Sequence, residues 1–163
     1  MTIDQALQYI ATTVFPSWSY VFDDWWDVDQ AVSRVNLPAI AHILPIGGTM
    51  TTRHGKVYDR EYVSVAFIDK VTRDASGDDQ REVFERMKTA AKQFVKACND
   101  SGMFHGVESW GYDVIYNQLA SIVTGVMLTL EVADLGECVE VPQPEPEPEP
   151  DPEPDPEEPE DEG

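Results

Sequence analysis

The chain has 163 residues, 31 acidic side chains against 11 basic ones, and a formal net charge of -20. Its length fits one domain, since domains cluster at roughly 100–150 residues. The acidic balance argues against open duplex DNA as a partner, because phosphate contacts need Lys and Arg, and no apolar run approaches the ~20 residues of a membrane span.

The charge is unevenly placed. From Pro142 to the end there are eleven acidic residues and no basic ones, so that stretch carries -11 of the total; the preceding 141 residues hold 20 acidic and 11 basic side chains, leaving -9. Two units follow: a globular domain over 1–141 and a Pro/Glu/Asp-rich tail over 142–163. The N-terminus, Met-Thr-Ile-Asp-Gln, lacks a basic region followed by an apolar run, so no signal peptide is read.

Thr2 is placed to cap a first helix over Ile3 to Val14, with Ile3, Ala6, Leu7, Ile10 and Val14 on one face and Asp4 near the positive helix end. Phe15-Pro16 ends it, because the residue before proline is pushed out of helical geometry. From Tyr20 to Val28 the aromatic and β-branched residues favour a strand. Trp25 and Trp26 then point to opposite faces. One indole stands away from the core beside Asp23, Asp24 and Asp27, as an interface anchor or as a cover over a loop. Asp29 to Asn36 suggests a helical turn.

Pro38 to Thr51 reads as a strand containing a proline. Pro45 has no N–H for a ladder, so this strand is an edge or bulges there. Gly47-Gly48 serves that bend or leaves room for a close neighbour, and no Gly-Lys-Ser/Thr follows that would make a phosphate loop. His42, on an apolar strand, reads as a structural histidine with satisfied ring nitrogens. Thr51 to Asp59 is a polar loop that gathers Arg53, His54 and Lys56, a basic cluster in an acidic chain. It is either a solvated hairpin tip or a loop reaching an acidic neighbour or nucleic acid. Glu61 to Val71 is the clearest strand.

Asp79 to Asn99 is the long amphipathic helix. Val83, Phe84, Met87, Ala90, Ala91, Phe94, Val95 and Cys98 fall on one stripe, with Ser76-Gly77-Asp78-Asp79 as the entry, Asp79 and Glu82 as a capping box and Asn99-Asp100-Ser101-Gly102 as the exit. Cys98 is on that stripe and reads as a buried thiol, whereas Cys138, past the last strand, is free to be exposed. Lys88, Lys92 and Lys96 recur every fourth residue, and Lys92 and Lys96 have no acidic partner within the expected helix. The row is a solvated face or a docking stripe for an acidic surface, the chain's own tail included. After a glycine- and aromatic-rich connector, Tyr112 to Gln118 and Val123 to Ala133 read as strands, with Gly125 marking a bulge. The alternating proline and carboxylate from Pro142 holds nothing apolar to bury and is expected to be an extended, disordered, polyproline-II-rich tail.

The order helix, three strands, helix, two strands implies an α+β domain: a mostly antiparallel sheet of about five strands with the long helix and the N-terminal helix packed on one face. That order, the size of the 1–141 domain and the closing run Val123-Thr124-Gly125-Val126-Met127-Leu128-Thr129-Leu130-Glu131-Val132 resemble the tail-terminator and tail-completion proteins of long-tailed bacteriophages and prophages. The resemblance implies a homo-oligomeric ring, commonly a hexamer, that caps the tail tube and meets the neck or connector proteins at the head. It places the chain in the virion, assembled in the bacterial cytoplasm, with no catalytic residues, cofactor, metal or sequence-specific nucleic acid. The Pro/Glu tail departs from the family's pattern. For a ring subunit the candidate contacts are Arg53, His54, Lys56, Lys88, Lys92, Lys96, Trp25 and Trp26. A competing function is an acidic module whose tail mimics nucleic acid and occupies a basic protein. An enzyme would need His42, His54, His105 and carboxylates to converge, and no nucleophile–base or metal spacing supports that.

Overall fold

The computed structural model describes residues 1–45, 47–54, 56–107, 110–118 and 122–135, apart from the side chains of Trp25, Trp26, Asp29, Asn117 and Gln118. The expected tail and Cys138 lie outside these residues.

Helix α1 spans Ile3–Val14, as the sequence pattern predicts, and its cap is complete: the Gln5 N–H donates to the Thr2 hydroxyl and the Thr2 N–H to the Gln5 side chain. Each such bond satisfies a donor that the first helical turn leaves orphaned. Strand β1 (Ser19–Asp23) follows, and here the pattern misleads: Trp25–Val32 is helix α2 rather than more strand. Asp24 explains the switch. Its carbonyl accepts from the Val28 N–H and its carboxylate from the Asp27 N–H, which caps a helix at the point where two tryptophans suggest a pleat.

The expected strand over Pro38 to Thr51 is two strands, β2 (Ala39–Ile43) and β3 (Gly48–Arg53). Both lie along the same side of β4 (Lys56–Lys70), β2 against Ser64 to Ile68 and β3 against Lys56 to Glu61. β2 ends at Ile43 opposite Ser64 and β3 begins at Gly48 opposite Glu61, and Pro45 falls in this break, where its missing N–H leaves no ladder bond unmade. A Cβ on Gly48 would sit 2.4 Å from the Arg60 carbonyl oxygen, so the glycine does make room for a close neighbour. The polar loop expected at Thr51 to Asp59 is the end of the β3–β4 hairpin, with Arg53 paired to Lys56.

Helix α3 is Gly77–Asp100. It starts two residues earlier than the pattern indicates, because the capping box is Ser76 with Asp79 and not Asp79 with Glu82. The exit is as expected: Ser101 is the C-cap and Gly102 takes a positive φ of 66°. Strands β5 (Trp110–Gln118) and β6 (Val123–Ala133) complete a six-stranded sheet in the order β1-β2-β4-β6-β5, with β3 beside β4. Every pairing is antiparallel except β1 with β2, which α2 joins as a crossover. The register of β6 on β4 is unbroken through Gly125; the irregularity lies in β5, between Ile115 and Gln118.

The domain is α+β, and the sheet is covered on both faces rather than one. Against α1 and α3 lie Ile40 of β2, Val63, Val65 and Phe67 of β4, and Val126, Leu128, Leu130 and Val132 of β6. On the opposite face Ala39, Ala41, Ile43, Ala66 and Ile68 pack against Val28 and Val32 of α2. Period-two alternation on β2 and β4 sends neighbouring residues to these two cores. The α3 stripe is buried as expected at Met87, Ala90, Ala91, Phe94, Val95 and Cys98, with Val83 and Phe84 half-buried. At the far end of α3 the Asn99 amide brackets the connector, accepting from the Val107 N–H at 2.6 Å.

Candidate interaction surfaces

Four places carry side chains that sequence reasoning marked or missed. The first is the hairpin tip. β3 is exposed along its whole length, and among the described residues it pairs with β4 alone and the β4 residues before Arg60 have no β6 partner. Arg53, His54 and Lys56 therefore stand on an exposed two-stranded arm, brought together as the sequence predicts. Its base is braced by the Tyr58 ring against His105 at 5.5 Å and by an Arg60–Glu131 ion pair at 2.6 Å.

The second is the lysine row, which the structure divides. Lys96 is paired with Asp100 four residues on. The expectation that it lacks an acidic partner fails because α3 runs one residue further than the pattern indicates, to Asp100. The Lys88 ammonium lies over two rings, 4.8 Å from the Tyr112 centroid and 5.4 Å from that of Phe84. The Tyr112 hydroxyl, then the nearby Glu85 charge, hold its pKa above the usual lysine value against a smaller desolvation effect. Lys92 is exposed and has no partner among the described residues.

Beside that row lies a surface that sequence reasoning missed. Trp110, Tyr112, Val114 and Tyr116 alternate along β5 and are 36, 44, 38 and 50 % exposed, whereas Ile115 between them is buried. Among the described residues β5 pairs only with β6, so it is a sheet edge, and α3 meets it through Phe84 and Lys88. Alternation was legible; which strand would be the edge depends on pairings that no local pattern encodes.

The third place is buried. His42 of β2 has no exposed surface, and its Nδ1 lies 2.7 Å from the Tyr20 hydroxyl. Burial lowers its pKa to about 4, so the ring is neutral near pH 7, and the Asp4 carboxylate facing Nε2 favours the tautomer in which Nε2 is protonated and Nδ1 accepts from Tyr20. Nε2 then carries the proton, but its nearest acceptor, Asp4 Oδ1, is 3.5 Å away and the nitrogen is without a hydrogen bond. The expectation of a satisfied histidine holds for one nitrogen and fails for the other. Burial also raises the pKa of Asp4, and burial followed by the Asp4 charge raises that of Tyr20.

This geometry fixes a pH dependence. Between 6.5 and about 4 the unfolded chain binds a proton at residue 42 that the folded chain does not, so stability rises with pH across that window and is lost as pH falls through it. The Asp4 and Glu61 carboxyls, both held up by burial, act in the opposite sense at the acidic end. Between about pH 7 and about pH 5 the wild type is expected to lose about 2 kcal/mol more stability than His42→Gln, which keeps a donor and an acceptor but does not titrate. Urea unfolding of both proteins at the two pH values measures it; equal losses would remove His42 from the account.

The fourth place is acidic. Asp23, Asp24 and Asp27 bring carboxylate oxygens within 4.8 Å of one another at the start of α2. Two of them already accept backbone bonds of that turn, from the Asp24 and Asp27 N–H groups. α2 carries Trp25 and Trp26 beside them, on a helix and not on the expected strand. An open cleft of about 590 Å³ lies elsewhere, between the N-terminus of α1 and the base of the hairpin, lined by Met1, Met50 and Met103 together with Asp59 and Glu61.

The three histidines do not converge. His42 meets Tyr20 and Phe22, His105 meets Tyr58, and His54 sits at the hairpin tip. Compared with known proteins, the chain matches no family model and no curated relative.

Proposed function

We propose that this chain is a structural subunit of a virion ring, a tail terminator or tail-completion protein that joins the tail tube of a long-tailed phage to its head. The observation that carries the assembly reading is the β3–β4 arm: an exposed hairpin ending in Arg53, His54 and Lys56 on a chain of net charge -20. A two-stranded hairpin is marginal by itself in water, so an arm of this kind gains most when a neighbour covers it. A basic tip on an acidic subunit favours a contact with a different surface of the next copy, such as the carboxylates that open α2. Head-to-tail contacts of that kind close into rings when the rotation allows. The narrower assignment to tail or neck rests on the family resemblance of domain size and the β6 run, since α2 and the division of β2 from β3 depart from the expected element order.

Negative-stain microscopy of the purified full chain, alone and mixed with phage tail tubes, tests it. The expected images are rings with an axial hole and tubes capped at one end. A monomer that leaves the tubes bare overturns the proposal, and basic proteins bound through the tail by that monomer would favour the acidic-mimic alternative.

A further inference from the structure

We infer that the aromatic edge of the sheet is the docking site for the chain's own proline- and acid-rich tail, residues 142–163. The site is the strip formed by Trp110, Tyr112, Val114 and Tyr116 of β5, walled by Phe84 and Lys88 of α3. The inference goes beyond the ring proposal and stands or falls separately from it.

The strip has the right chemistry. The Phe84 ring lies 6.4 Å from both the Tyr112 and the Tyr116 ring, so helix and edge strand together present a run of rings open to solvent. Lys88 is held at its centre over Tyr112. Lys92, one turn further along α3, advances by ~6 Å, close to the ~6.8 Å between alternate residues of an antiparallel strand. It thus extends the cationic row in the direction that leads from Tyr112 toward Trp110. Rings flanked by ammonium groups favour a ligand that offers flat apolar surface and carboxylates in alternation.

The tail is such a ligand. Every second residue from Pro142 to Pro156 is proline, and all but one of the residues between them are acidic. This composition favours polyproline II, which has three residues per turn at ~3.1 Å each. An odd number of residues per turn on a two-residue repeat means that every face of the helix shows proline and acid alternately, spaced by ~9.3 Å. Whichever face docks therefore supplies both groups. Aromatic-lined grooves recognise proline-rich segments because the extended helix is largely preformed and little entropy is lost on binding.

The tether also reaches. β6 ends at Ala133, only three residues past Leu130, which pairs with Trp110. That is ~10 Å along the strand, and residues 136–141 can span ~20 Å when extended. The strip from Trp110 to Tyr116 is itself ~20 Å long, the length of six or seven tail residues in polyproline II. A short tether gives the tail an effective concentration in the millimolar range, so weak contacts suffice. Charge is complementary as well: the tail holds 11 of the 31 acidic residues and no basic one.

Nuclear magnetic relaxation of the full-length, nitrogen-15-labelled chain tests the inference through the amides of Glu145 to Asp155. At low salt their order parameters are expected to rise from the free-chain range, below about 0.6, toward about 0.8. Raising the salt to several times physiological strength should return them to free-chain values, because the contacts are exposed and screened. The double variant Lys88→Glu/Lys92→Glu should do the same, and so should Tyr112→Ser/Tyr116→Ser, with amide shifts of β4 and β6 unchanged in each. Free-chain values in the wild type at low salt overturn the inference, as do tail amides indifferent to both variants. Ordering that appears only as protein concentration rises places the tail on a second copy and overturns the intramolecular assignment.

Discussion

Gly125→Ala is expected to destabilise the domain by about 3 kcal/mol, a large fraction of the ~5–15 kcal/mol that holds a typical domain together. Gly125 lies on β6 opposite Ile68 of β4, two pairs in from the Val123 end of the longest pairing in the sheet. A Cβ there would come 1.9 Å from the Phe67 carbonyl oxygen and 2.9 Å from its carbon. Both atoms are backbone, so relief requires moving one central strand off the other. That movement would disturb the cores on both faces, since Phe67 belongs to one and Ile68 to the other. Gly111 on β5 is the control: nothing lies within 4 Å of its Cβ position. Gly111→Ala should be neutral or stabilise by up to about 1 kcal/mol, because alanine leaves the unfolded chain less freedom to lose. Denaturant unfolding of the two variants separates close approach from a general intolerance of strands toward alanine. Equal effects would contradict the packing described at Gly125.

Phe94→Ala is expected to cost about 3–5 kcal/mol, the range for deleting a buried aromatic ring and leaving its cavity. Phe94 is 1 % exposed on the inner face of α3. Its ring centroid is 5.5 Å from that of Phe67 on β4, and Phe67 is in turn 6.0 Å from Phe15 at the end of α1. This relay ties both helices to the sheet, so the loss falls on the whole larger core rather than on one helix. Phe94→Leu fills much of the volume and should cost clearly less. Removal of the Lys92 side chain, two residues away on the exposed face, should change stability by no more than about 0.5 kcal/mol. A small effect of Phe94→Ala would mean that α3 is not the lid of this core.

The long helix and the last strand were legible because each carries one strong period. Ile3 to Val14 adds a cap that is complete in the sequence, and its limits coincide with those of α1. The errors arise where two signals compete. At Trp25 and Trp26 strand propensity points one way and the Asp24 cap the other; the cap prevails, and the helix it starts covers the second face of the sheet. At Pro45 a single apolar run hides two strands that share one neighbour. Ser76 outdoes Asp79 as N-cap because its hydroxyl and N–H both bond the Asp79 carboxylate while its hydroxyl accepts the Asp79 N–H. These bonds also hold the Asp79 pKa below the ordinary carboxylate value.

Among the candidate contact residues, the basic tip was legible as a cluster because its members are near neighbours in the chain. The lysine row was legible as a spacing but not as a set of contacts. Tyr112 beneath Lys88 comes from another element, and Asp100 beside Lys96 lies one residue past the expected helix. The aromatic strip was invisible for a similar reason: exposure of Tyr112 and Tyr116 follows from β5 being an edge.

The central proposal, that the chain works by assembling through its basic hairpin, is tested most directly by native mass spectrometry of the full chain beside the triple variant Arg53→Glu/His54→Glu/Lys56→Glu. All three residues are exposed, so the variant should keep the wild-type circular dichroism spectrum. The account predicts one closed multiple of 18.3 kDa for the wild type and a monomer for the variant. A wild type that stays monomeric at every concentration, or a variant that assembles as well as the wild type, would contradict it.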